Sequence, residues 1–75
     1  MTVRHTSLKV VKTIEKSLNE NQQIFEEGNY ETRQEALQRI ADVEKHFLAH
    51  NPNKQLKVIK RGGQDPMFLI IVQTL

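Results

Sequence analysis

Asp42, His46 and His50 follow one another at intervals of four, so on a helix they would form one stripe of metal-ligating side chains. Imidazoles at i and i+4 point the same way and can share a divalent cation. His5 is the only other histidine and there is no cysteine, so no partner cluster completes such a site. Two histidines in a last helical turn also meet the negative end of the helix dipole, which accounts for them without a metal. The expectation is no metal and no cofactor.

Other reactive groups lack the setting that would activate them. Ser7 and Ser17 stand in a basic stretch, with no Gly-x-Ser-x-Gly elbow to present either hydroxyl as a nucleophile. Glu26-Glu27 and the Glu31, Glu35 pair are carboxylates in polar surroundings, which read as a solvated face and not as an acid–base pair. Gly62-Gly63 has no helix start after it to aim N–H groups at a phosphate. The sequence therefore reads as non-enzymatic, with no small-molecule substrate.

Charge is distributed unevenly. Arg4, Lys9, Lys12 and Lys16 face only Glu15 in the first 18 residues, and Lys45, Lys54, Lys57, Lys60 and Arg61 face only Asp65 after residue 44. Between them lie Glu20, Glu26, Glu27, Glu31, Glu35, Asp42 and Glu44 against Arg33 and Arg39. If the basic ends lie side by side, one surface is positive and the opposite one negative. A sheet face carrying Lys9, Lys57 and Arg61 would suit a nucleic-acid backbone. No aromatic residues are interleaved with those lysines for base stacking, so nucleic-acid binding is the alternative reading.

The clearest element that could position any of these groups is residues 32–50. Thr32 and Glu35 have the spacing of a capping box, with the Glu carboxylate reaching back to the cap, and Pro52 stops the helix after His50 and Asn51. Ala36, Ile40, Val43 and Phe47 share one stripe, with Leu37, Glu44 and Leu48 on its shoulder. Glu35 and Arg39 are placed as an i,i+4 pair. After Pro52, residues 56–61 and 67–74 read as a β-hairpin around the loop Gly62-Gly63-Gln64-Asp65-Pro66, with the glycines supplying positive φ. The last strand, Met67 to Val72, is apolar on both faces, which predicts a central position, a covered second face or a dimer contact.

Residues 8–30 fit two patterns. As strands they offer β-branched density and an Asn19-Glu20-Asn21-Gln22 turn, with a second strand through Ile24 to Tyr30. As a helix capped by Ser7 they place Val10, Val11, Ile14, Leu18 and Phe25 on one arc. Asn19 and Asn21 would then sit mid-helix at a cost of about 0.6–0.7 kcal/mol each, which favours strands. The entry Gly28-x-Tyr30-x-Thr32-x-x-Glu35-Ala36 also favours a strand that ends in a buried aromatic and turns into a capped helix. Those nine residues resemble the strand-to-helix junction of AP2-type plant DNA-binding domains and of the arm-binding domains of phage integrases. Such domains read DNA with a three-stranded sheet of arginines and aromatics, whereas the strands here offer mainly Lys9, Lys12 and Lys16, and there is no Trp.

The expected architecture is α+β, ββαββ: a four-stranded, mainly antiparallel sheet with one long helix (32–50) on one face, and ααββ as the alternative. Residues 1–75 form one domain, with 1–7 a flexible arm. The opening MTVRHTS lacks the apolar run of a signal peptide, and no stretch approaches the roughly 20 apolar residues of a membrane span. A cytoplasmic protein is expected. In this register Val11, Ile59, Leu69 and Ile71 fall on the face away from the helix, an apolar surface that wants a partner. Small size without disulfides points to a second copy, sheet against sheet, or to another protein, and so to an interaction or regulatory domain.

Overall fold

In the computed structural model, which describes residues 4–75, the chain is α+β with two helices and two antiparallel sheets. The order is β1 (Arg4–His5), α1 (Leu8–Ser17), β2 (Gln22–Ile24), β3 (Gly28–Asn29), α2 (Arg33–His50), β4 (Lys54–Arg61) and β5 (Met67–Thr74). Strands β2, β5 and β4 form one sheet in that order, and β1 pairs with β3 in the other. A bridge from Tyr30 to Phe68 joins the two, so β5 is met by β4 on one side and by the 21–30 segment on the other.

The expected ββαββ order is corrected in two places: the segment expected as its first long strand is the helix α1, and the strands form a three-stranded and a two-stranded sheet in place of one four-stranded sheet. Ser7 caps α1: the hydroxyl accepts from the Val10 N–H at 3.3 Å and the carbonyl from the Val11 N–H at 2.9 Å. Neither asparagine burdens the helix, because α1 stops at Ser17, before both of them. Asn19 then makes the turn, its side-chain oxygen accepting from the Asn21 N–H at 2.9 Å and its carbonyl from the Gln22 N–H at 3.0 Å. From Gln22 onward the strand reading is met in part, by the two short strands β2 and β3 of different sheets and not by one strand through Ile24 to Tyr30. β2 pairs with β5, the Phe25 N–H reaches the Ile70 carbonyl at 2.9 Å, the chain bows out through 26–27, and Tyr30 rejoins β5 at Phe68.

This leaves three layers. Ile70 joins Tyr30, Ala36 and Ile40 in a core under α2, with Phe25, Leu56, Val58 and Phe68 packed against it. By alternation Leu69 and Ile71 point to the other face, and both are fully buried. We infer that α1 covers them, from the burial of its own Val11 and Ile14 and from its bond to β4 on this face. Its C-terminal end is held to β4 where Arg61 donates to the Ser17 hydroxyl at 3.3 Å. The apolar second face of β5 is thus satisfied within the chain, at about 1.5–3 kcal/mol for each fully buried Leu or Ile.

Residues 4–7 are not a free arm, and 1–3 lie outside the described residues. Arg4–His5 pairs with Gly28–Asn29, and buried Asn29 donates to the hydroxyl of buried Thr6 at 2.7 Å. The Arg4 guanidinium donates to the carbonyls of Tyr30 at 3.1 Å and Pro66 at 3.2 Å, tying the chain start to the hairpin loop. In that loop Gly62 has φ +89°, and a Cβ there would lie 2.8 Å from the Asp65 carbonyl oxygen. At the start of α2 the Glu35 N–H donates to the Thr32 hydroxyl at 3.2 Å, as the capping box requires. The Glu35 carboxylate accepts from the Thr32 hydroxyl at 3.1 Å, while Arg39 turns from Glu35 to pair with Glu26 at 3.4 Å. Among the described residues no helix is long and apolar enough to cross a membrane.

Candidate interaction surface

The sequence-predicted partner surface does not survive as a surface. Val11, Leu69 and Ile71 are 3%, 0% and 0% exposed, and Ile59 is half-buried beside Leu69. With residues 8–17 folded as a helix and not a strand, the apolar side chains of β5 are buried within the chain.

The free surface lies at the sheet's edge. Phe25 and Tyr30 bond to Ile70 and Phe68, and the Thr74 N–H to the Asn21 carbonyl, so the even-numbered residues of β5 face the 21–30 side. Odd-numbered ones face β4, where they pair with Gln55, Lys57, Ile59 and Arg61. The backbone groups of Lys54, Leu56, Val58 and Lys60 consequently point away from the sheet. Local bonds use two of them: the Lys54 N–H donates to Asn51 at 3.1 Å, and the Lys60 carbonyl accepts from the Arg61 guanidinium at 2.9 Å. The N–H and C=O of Leu56 and Val58 and the N–H of Lys60 have no partner among the described residues.

Cations surround this edge. Lys57 and Lys60 are exposed, Lys54 and Arg61 half-exposed, and neither β4 nor β5 contains an acid. Lys57 and Arg61 point to the α1 side by alternation, and there α1 turns Lys9, Lys12 and Lys16 outward, opposite Val11 and Ile14. The predicted nucleic-acid contacts Lys9, Lys57 and Arg61 therefore share one side of the molecule, although Lys9 comes from a helix and Arg61 is engaged with Ser17. Sequence reading missed the edge itself. Its signal was present in lysines recurring at 54, 57 and 60, which place charge on both faces of one strand, a pattern that guards an unpaired edge.

The other groups singled out from sequence are brought together less. His46 and His50 stack with ring centroids 4.7 Å apart, and His50 donates from Nδ1 to the His46 carbonyl at 3.0 Å. With Asp42 they rim a shallow cleft of ≈ 390 Å³ over Phe25, Val43 and Phe47. No three His, Cys, Asp or Glu side chains converge on a metal position among the described residues. The Ser17 hydroxyl donates to the Ile14 carbonyl at 2.7 Å, and Ser7 is used as a cap. Glu26 accepts from the Tyr30 hydroxyl at 3.0 Å and from Arg39, so it holds the 26–29 excursion to α2.

Burial, then the neighbouring Glu26 carboxylate, push the Tyr30 phenol up from 10.0 to about 12. A phenol raised in the folded state gives stability that is whole below pH 10 and is lost as pH climbs through about 12. Tyr30 is the only tyrosine and there is no tryptophan, so tyrosinate absorbance reports this group alone. We expect it to ionise well above pH 10 in the folded protein, together with alkaline unfolding. A midpoint near 10 with the fold intact would place the hydroxyl in water.

No protein-family model, curated protein or solved structure matches this chain.

Proposed function

We propose that this chain is a small, non-catalytic protein-interaction domain that takes an extended segment of its partner along β4. The reading rests on one observation: an eight-residue edge strand whose outward Leu56, Val58 and Lys60 amides are unpaired. Strand addition needs such an edge, because the main-chain bonds supply affinity while alternate side chains supply choice. A second copy laid sheet against sheet is disfavoured, since α1 occupies the face it would use. The second reading, nucleic-acid binding, is favoured by the shared side of Lys9, Lys12, Lys16 and Lys57.

Selection from a displayed random-peptide library tests the edge. Lys60→Pro removes an outward amide hydrogen and leaves the ladder to β5 whole, because the Lys60 N–H makes no bond to β5. Wild type is expected to enrich extended peptides that Lys60→Pro retains at least ten-fold less, with Lys60→Gln correcting for charge. No enrichment by wild type, or equal retention by Lys60→Pro, would remove the reading.

A further inference from the structure

We infer that the segment received by β4 is acidic, with its carboxylates in register with the cations of the strand. The inference rests on the edge reading above and adds the chemistry of the partner. Along β4 the charges fall at Lys54, Lys57, Lys60 and Arg61, while Leu56, Val58 and Ile59 fall between them. Lys57 and Arg61 point to the α1 side, Lys54 and Lys60 to the α2 side, so a strand added at the edge meets cations on both of its faces. The ion pairs among the described residues use Arg4 and Arg39, and none neutralises a lysine of β4. Beside it β5 is uncharged, and α1 adds Lys9, Lys12 and Lys16 on one side.

An added strand places its residues opposite those of β4, where opposite charges stabilise and like charges repel. The complementary pattern is therefore acidic opposite residues 54, 57, 60 and 61, and apolar opposite 56, 58 and 59. A neutral strand would leave the cations unanswered. A second β4 would bring four more cations to the same seam, so a copy of this chain is a poor occupant by its own edge. Nucleic acid would answer the charge but not the unpaired amides of Leu56 and Val58, which call for a peptide backbone.

The probe is a blocked octapeptide, Glu-Glu-Val-Val-Glu-Val-Thr-Glu, written to run antiparallel from Arg61 to Lys54, with Lys replacing each Glu in the control. Fluorescence anisotropy at low salt is expected to show the acidic peptide binding at least ten-fold tighter than the control. Lys57→Glu combined with Lys60→Glu should reverse that order. Amide hydrogen exchange on the complex should slow at Leu56, Val58 and Lys60, and stay unchanged at Lys57 and Ile59, which are already bonded to β5. Equal binding of the two peptides, or binding without protection of those three amides, would overturn the inference. If the library enriches neutral or basic peptides that Lys60→Pro loses, the edge reading stands and the acidic partner falls. A single-stranded oligonucleotide that binds ten-fold tighter than the acidic peptide, leaving the three amides unprotected, would overturn both and assign the cations to nucleic acid.

Discussion

Ile71→Lys is expected to leave no folded protein: a far-UV spectrum of unordered chain at 25 °C and no cooperative transition in urea. Ile71 is fully buried, faces α1, and stands across the ladder from Ile24 on one side and Lys57 on the other. An ammonium placed there loses water and stands across the ladder from a second cation, Lys57. The uncompensated buried charge costs several kcal/mol, and the lost apolar burial adds about 2–3 kcal/mol. A chain of this size has a total stability of only about 4–11 kcal/mol. Ile71→Val, which keeps the branching and removes one methyl, should cost about 0.5–1.5 kcal/mol and stay folded. Had Ile71 lain on an open sheet face between two copies, Ile71→Lys would yield a soluble, folded monomer. That outcome would show that α1 does not cover β5.

Tyr30→Ala should lower stability by about 3–5 kcal/mol, while Tyr30→Phe should lower it by about 1 kcal/mol. The ring is fully buried among Ala36, Ile40 and Ile70, so truncation opens a cavity at the point where the 26–29 excursion returns to β5. The hydroxyl only adds a bond to Glu26, which keeps Arg39 at 3.4 Å when that bond is gone. Urea unfolding followed by circular dichroism separates the two substitutions through their midpoints at constant slope. Similar losses for Phe and Ala would assign the stabilisation to the hydroxyl, against the packing described here.

These two residues also mark where the sequence is readable. Tyr30 sits in a junction whose chemistry is local: a strand residue, a Thr cap and a Glu three positions on, followed by a stripe that ends before Pro52. The hairpin is equally local, with Gly62 at its turn and strands on either side. Ile71 depends on what covers it, and that is a question about residues more than fifty positions away. The pattern of residues 8–18 fits either period, and the asparagines misdirect because they belong to the turn after α1 and not to its interior. Once α1 is taken for a strand, the apolar face of β5 has no cover, and Val11, Leu69 and Ile71 read as a partner surface. Lys57 and Arg61 were identifiable as surface cations from alternation alone. That β4 is an outer strand is signalled in the sequence only by its lysines on both faces, because the strand order itself depends on β2 and Tyr30 taking the opposite side of β5.

The position of β5 bears on how the chain is made. Its partners β2, Tyr30 and β4 all precede it in synthesis, and each is joined to the sheet through it. A nascent chain that has exposed residues 4–66 can therefore pair β1 with β3, but β2, Tyr30 and β4 still lack the strand that joins them. Folding waits until Thr74 has cleared the ribosome, and a ribosome that stalls before Met67 releases a chain with no core. The non-local pairing also makes the final collapse a slow step for so short a polypeptide.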